Sequence, residues 1–280
     1  MKHRLQRQLA SIGHRLGKSP VANLPGVRTA YYSLQQMLVP DRASDVRWID
    51  YEGYELKVAP PDHVSVQLVE TGVYEWNVRI AIIEQVAEGQ TVLDIGGHIG
   101  HHTLTLRDCV GDSGEVYVFE PNPENAKMIS DTVQQNGIEN VKIIEKGVGK
   151  STGRRRLHVA NENTGAASIF SLRKDLETIE INMTRYDEFS QEYEVSHVDF
   201  IKMDIEGAEK EVIPELNLSS IDTMLLEIHC KNHLTEGEIR KICTRLADKG
   251  KLEGLDGKKI GSFTELNFDQ NHTLLWTRDG

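Results

Sequence analysis

Cysteine is scarce in this 280-residue chain: Cys109, Cys230 and Cys243 are odd in number and form no Cys-x-x-Cys spacing. Neither a disulfide framework nor a structural zinc site is predicted. Long apolar runs are missing as well. None approaches the roughly 20 residues of a membrane-spanning helix, and the start of the chain lacks the apolar core of a secretory signal. These absences predict a cytoplasmic protein. Positive charge is in deficit, with a formal net charge of -11, so the basic face that phosphate contacts require is absent and no nucleic-acid partner is expected. What the chain does have is enough apolar content, 39%, to bury one large core without disulfides or metal.

Acid is lacking in one place only. Residues 1–40 carry Lys2, Arg4, Arg7, Arg15, Lys18 and Arg28 and no Asp or Glu. Within them Leu5, Leu9, Ile12 and Leu16 recur at steps of four, three and four, which places them on one face of a helix. Three readings of this basic amphipathic helix stay open. It is an arm packed on its own domain or on a second copy in a homo-oligomer, a peripheral contact of residues 1–18 with an anionic membrane surface, or an organelle-targeting peptide.

From Arg47 to Val58 a short run interrupted by Glu52-Gly53 predicts a hairpin, ended by Pro60-Pro61. Thr71 to Ala87 reads as one helix, with Val78, Ile82 and Val86 repeating every fourth residue. Beyond it strand-like runs (Thr91 to Ile95, Val116 to Phe119, Val141 to Ile144, Val198 to Met203, Met224 to Ile228) alternate with helical patterns near 101–108, 123–136 and 207–216. That alternation predicts an α/β fold with a parallel sheet covered on both faces. Gly254-Leu255 and Thr273 to Trp276 are candidates for its edge. The predicted organisation is an extension over residues 1–70, helix plus hairpin, and a cofactor-binding domain over 71–280. Residues 160–196 and the tail after His229 are expected to supply loops around an acceptor.

The chemistry begins at Asp94-Ile95-Gly96-Gly97-His98-Ile99-Gly100. A strand, a glycine-rich turn and a helix start aim backbone N–H groups and the helix dipole at a ligand. A nicotinamide fingerprint, G-x-G-x-x-G, would need glycine at position 95, where Ile95 stands. Instead Asp94 precedes the first glycine, and a carboxylate there can organise the loop and attract the ammonium of a methionine moiety. Glu120, in Phe119-Glu120-Pro121-Asn122-Pro123, lies 20 residues beyond Gly100, where an acid at the end of the second strand binds ribose hydroxyls. Gly147 and Val148, after the third strand, fall where such folds flank adenine.

Two further strings complete the set: Val198-Asp199-Phe200-Ile201-Lys202-Met203-Asp204, running into Ile205-Glu206-Gly207-Ala208-Glu209, and Leu225-Leu226-Glu227-Ile228-His229. With the Asp94 loop and the Glu120 segment, in this order, they resemble the FkbM family of class I methyltransferases, from about Gly72-Val73-Tyr74-Glu75 to His229. The resemblance implies a Rossmann-like domain with a seven-stranded, mostly parallel sheet and helices on both faces. It implies S-adenosylmethionine as methyl donor and a hydroxylated acceptor, a sugar, glycan or other small molecule. Cofactor contacts are then expected from Tyr74, Glu75, Asp94, Gly96, Gly97, His98, Gly100, Thr103, Glu120, Pro121, Asn122, Gly147, Val148 and Asp204. Gly97-His98 departs from the Ala-Asn usual in the family.

Methyl transfer is an in-line displacement at an activated carbon, so the protein has to align two reactants and manage one proton. Asp204, Glu206, Glu227 and His229 all sit at strand carboxyl ends, where open parallel sheets bind ligands. His229 is the expected base, since an ordinary imidazole titrates near neutrality, with Glu227 or Asp204 orienting it. Lys202 is expected in a buried ion pair. A divalent metal on these groups is the disfavoured reading, because their spacing matches no recognised ligand motif. Carboxyl methylation of a sugar acid, a binding protein without chemistry and a nicotinamide dehydrogenase are the alternatives.

Overall fold

The computed structural model describes residues 46–60, 62–160, 163–170, 176–230, 233–260, 266 and 271–279. The basic helix expected within residues 1–40, and its membrane reading, lie outside them.

The seven-stranded sheet is present. Its parallel part comprises β3 (Thr91–Ile95), β4 (Glu115–Phe119), β5 (Val141–Ile144), β10 (Val198–Met203) and β11 (Ile221–Ile228). Two antiparallel strands, β12 (Gly250–Gly254) and β13 (His272–Arg278), close one edge, giving the order β12-β13-β11-β10-β3-β4-β5. The central strands read as nearly unbroken apolar runs because both of their faces are covered. One hydrophobic cluster, with Phe119, Phe189, Met203, Leu226 and Trp276, lies on one face, and another, with Ile82, Val92, Leu106, Val118 and Phe200, on the other. Chain order reverses between β3 and β10, and a crevice opens at their carboxyl ends.

Helices start where the chain supplies caps. In α4 (Pro123–Gln135) the Asn122 side chain accepts from the Glu124 N–H and proline occupies the first turn, and α7 (Glu236–Ala247) opens with a reciprocal Thr235/Glu238 capping box. The hairpin pairs β1 (Arg47–Tyr51) with β2 (Tyr54–Val58) through a turn with positive φ at both Glu52 and Gly53. It docks on α4: Lys57 pairs with Asp131 at 2.6 Å, its N–H donates to Thr132, and Asn136 bonds both backbone groups of Glu55. Extension and sheet domain therefore share one core.

Three expectations change. The helix expected over Thr71 to Ala87 starts later, as α2 (Trp76–Gln85), and an additional helix, α1 (His63–Thr71), precedes it, ended where Gly72 takes a left-handed turn (φ 74) and the Thr71 hydroxyl bonds Gln67 and Val73 carbonyls. The helical pattern at 207–216 shortens to α6 (Glu209–Val212) followed by a tight turn of 3-10 helix at Ile213–Glu215. Much of the 160–196 stretch expected to form loops instead joins a second sheet, ordered β6 (Gly147–Val148), β9 (Glu177–Thr184), β7 (Gly153–Ala160) and β8 (Asn163–Ser168), followed by α5 (Tyr186–Glu192). Arg154-Arg155-Arg156, a run that reads as a solvated strand or turn, lies in β7. Arg154 pairs with Glu180 on the solvated face, while Leu157, Val159, Ile181 and Met183 alternate onto the buried one.

Candidate active site

The glycine loop is wedged between strands. N–H groups of Gly96 and Gly97 both donate to the Phe119 carbonyl, and the Lys202 ammonium donates to the Gly96 carbonyl at 3.0 Å. Gly96 has φ 91, and a Cβ there would lie 1.9 Å from the Asp204 carbonyl oxygen, so only glycine fits. His98 also takes a left-handed conformation, φ 49. Its N–H donates to Glu120 Oε2 at 2.8 Å, and its Nε2 lies 3.5 Å from Asp62 Oδ1. Burial opposes ionisation of Asp62, but bonds from His98 and Ser65 hold its carboxyl well below the usual range. The unusual imidazole is thus anchored by the N-cap of α1.

Beside this loop lies a cavity of about 290 Å³. Eleven of the residues expected at the site line it: Tyr74, Glu75, Gly96, His98, Glu120, Pro121, Gly147, Val148, Asp204, Glu227 and His229. Asp94, Gly97, Gly100, Thr103 and Asn122 stand just behind the cavity wall. Asp94 is fully buried, accepts from the Thr103 hydroxyl at 2.7 Å and lies 3.6 Å from Lys202. A side chain on Gly97 or Gly100 would meet Val118 or Ile129. Asn122 caps α4 and donates its N–H to Glu120 Oε1. Glu120 is therefore gripped by backbone donors from two loops, while burial raises its pKa.

Other cavity walls come from the stretches expected to surround an acceptor and from one ring of the His101-His102 pair. Leu157, Ala167, Ile169, Ile181 and Met183 form an apolar roof from the second sheet, Val64 comes from α1, and His101 from the start of α3 (His101–Val110). His101 stacks edge-on against Tyr74, and burial, then the charge of His102 and His98, holds its pKa well below normal.

The far wall is a knot of ionisable groups. His229, 2% exposed, places Nδ1 2.8 Å from Glu209 Oε1. Its Nε2 lies 3.3 Å from Glu206, 3.6 Å from Asp204 and 3.7 Å from Glu227. Burial alone would depress this imidazole, but the Glu209 bond and charge, reinforced by Asp204 and Glu206, push it up to about 10. Burial, with repulsion from neighbouring acids, raises Glu206 to about 7 and Glu227 to about 7. Asp204 is held low by Lys202 and His229 against its burial. Glu209 and the acids around Nε2 therefore favour the charged imidazolium of His229 over the neutral ring that a proton acceptor needs.

Among the described residues, Asp204/Glu227/His229 and Glu75/His101/His102 each bring three potential ligand atoms within 4.8 Å of one another. A metal needs a deprotonated imidazole. In the first group the acids around His229 favour its charged form, and in the second His102 Nε2 lies 3.0 Å from Glu75 Oε2.

The Methyltransferase FkbM domain model matches residues 94–252, more than half of the chain. Fold and site define a class I S-adenosylmethionine-dependent methyltransferase. Within that class, the chain belongs to the FkbM methyltransferase family. The hexuronic acid methyltransferase AglP of Haloferax volcanii is 24% identical over 204 residues, 71% of this chain and 76% of that protein. A protein-L-isoaspartate O-methyltransferase of Methanocella arvoryzae is 38% identical over 58 residues, 21% of this chain and 31% of its own length. Among solved structures, a SAM-dependent O-methyltransferase from Thermotoga maritima matches with TM-score 0.45 at 14% identity, over 74% of this chain and 66% of that one. Aeropyrum pernix fibrillarin with bound S-adenosylmethionine matches with TM-score 0.41 at 17% identity, over 85% of each chain. No described helix is long and apolar enough to cross a membrane.

Proposed function

We propose that this methyltransferase acts on a hydroxyl of an uncharged acceptor, a sugar, glycan or other hydroxylated small molecule, with Glu227 as general base. The observation that carries this reading is the acid cluster around the His229 ring, abutting the cofactor loop through the Gly96–Asp204 contact. The cavity fits the cofactor in its donor set: Glu120, gripped by two backbone N–H groups, keeps lone pairs for ribose hydroxyls, and the surplus of carboxylates complements a sulfonium and an ammonium. S-adenosylmethionine, when bound, supplies a methyl group activated by positive sulfur. Glu75 is assigned to the methionine end, Gly147 and Val148 to the adenine under the apolar roof. Glu227, raised to about 7, is matched to proton acceptance at neutral pH. The His229 ring, 3.7 Å away, holds it in place while the like charge of Asp204 keeps it basic, and no metal is needed. Residues 71–280 are taken as the catalytic unit, with Asp62 and Val64 of the extension shaping its cavity.

Methylation of a sugar carboxylate is the second reading, favoured by the likeness to AglP. Five acids, Glu75, Glu120, Asp204, Glu206 and Glu227, line the cavity against it. An anionic acceptor would meet like charge at close range, which costs several kcal/mol of binding, on the order of the penalties seen at mismatched interfaces. Transfer from methyl-labelled S-adenosylmethionine to matched hexosides and hexuronates tests the choice. A base-stable methyl ether on the hexoside is expected; a base-labile ester on the hexuronate alone overturns it.

A further inference from the structure

We infer that Glu209 is a positioning residue of the methyl-transfer site, aiming Nε2–H of His229 at the carboxylates that receive the acceptor's proton. The inference rests on the hydroxyl-transfer reading above.

Glu209 heads α6 and is 0% exposed. One oxygen meets His229 Nδ1 at 2.8 Å, and the other has no hydrogen-bond partner among the described residues. A buried carboxylate with an unfilled oxygen is a poor way to stabilise a fold, since an apolar side chain of similar volume does as well or better. Val212, Ile213 and Leu234, close to it in sequence or to His229, already belong to the core. What the carboxylate does supply is a choice between the two edges of the imidazole ring. With Nδ1 fixed, Nε2 can only face Glu206, Asp204 and Glu227, which lie 3.3 to 3.7 Å away.

The connecting loop is shaped to the same end. Between Asp204 and Glu209 the chain takes two left-handed steps, at Glu206 (φ 48) and Gly207 (φ 94). A left-handed glutamate is a strained conformation that persists only when its surroundings impose it. Here the two steps bring Glu206 and Glu209 to opposite edges of one ring. A Cβ on Gly207 would lie 2.6 Å from His233 Cβ, so the turn is clamped from outside.

The groups facing His229 are Glu209 from α6, Asp204 and Glu206 from the loop after β10, Glu227 from its own strand, and the His233 ring at 6.0 Å. Lys202 acts at one remove through Asp204. Among the described residues, only Glu209 contacts Nδ1. During transfer the acceptor's O–H proton passes to a Glu227 oxygen as the new O–C bond forms, and the C–S bond breaks with its electron pair left on sulfur. His229 stays protonated throughout and keeps Glu206 and Glu227 turned toward the acceptor.

Nitrogen NMR of the His229 ring and the pH profile of turnover test this together, using Glu209→Gln, which matches the shape and still accepts from Nδ1–H. In the full-length wild-type chain the ring should titrate near pH 10. In Glu209→Gln its proton affinity should fall at least tenfold, kcat should fall about tenfold, and a descending alkaline limb should enter the profile. The KM for S-adenosylmethionine should stay within about twofold, and Glu209→Asp should restore part of kcat. A ring titration and a profile that superimpose on wild type overturn the inference. Should the glutamine variant not fold, Glu209→Asp carries the same titration test, an intermediate fall being expected and no change contradicting it. Because the ring titration needs no turnover, a wild-type chain that methylates no hydroxyl while its ring responds to Glu209 overturns the hydroxyl-transfer reading and leaves the Glu209 contact standing.

Discussion

Between Gly96 and Asn122 the crevice is shaped by backbone, whereas between Asp204 and His229 it is shaped by ionisable side chains. On the first side, carbonyls and N–H groups of two loops hold the glycines and Glu120 in place, and the side chains that matter are the missing ones. On the second, five carboxyl groups, an imidazole and an ammonium settle one another's protonation across a few ångströms. A site built of backbone tolerates little change in shape, and a site built of charges tolerates little change in proton count.

Substitutions on the two sides should therefore fail differently. Gly96→Ala should have the largest effect: the added carbon collides with the Asp204 backbone, and calorimetry should show S-adenosylmethionine affinity lost by more than about 100-fold, with a lowered Tm. Glu227→Gln keeps the shape and removes the base. Its kcat should fall by about 10² to 10⁴-fold with cofactor affinity within a few fold, and a variant that binds poorly but turns over normally would erase the distinction. Asp62→Ala removes both the cap of α1 and the anchor of His98; about 1 kcal/mol of stability and a few fold in cofactor affinity should go, read by denaturation and calorimetry. Arg154→Ala breaks a pair exposed on both sides, and its stability should stay within about 0.5 kcal/mol of wild type.

The same contrast decided what could be read from sequence. The glycine spacing, Asp94 and Glu120 lie on consecutive elements whose period is visible, so the parallel strands and the loop were predicted nearly to the residue. Charged clusters carry no such period. That Glu206, Glu227 and His229 meet was legible from their places at neighbouring strand ends, but the proton on His229 was not, because it depends on Glu209, whose side chain lies behind the ring. The second sheet escaped because three consecutive arginines hide a period-two pattern whose apolar half is short. Gly97, Gly100, Thr103 and Asn122 belong to the same motifs yet stand behind the cavity wall, since a motif records which residues recur without saying which of them line a cavity. His98 gave no hint of Asp62, 36 residues earlier in the chain.

The pH dependence of kcat/KM for the acceptor tests the central claim most directly, because it reports the essential groups of the free enzyme. Burial raises both Glu206 and Glu227 to about 7, so below that pH they are protonated and cannot accept a proton, and above it they can. The account predicts that kcat/KM rises about tenfold per pH unit below 7 and levels above about 8, with His229 still charged. A rate that is flat across this range, or that falls as the pH rises through 7, would contradict it.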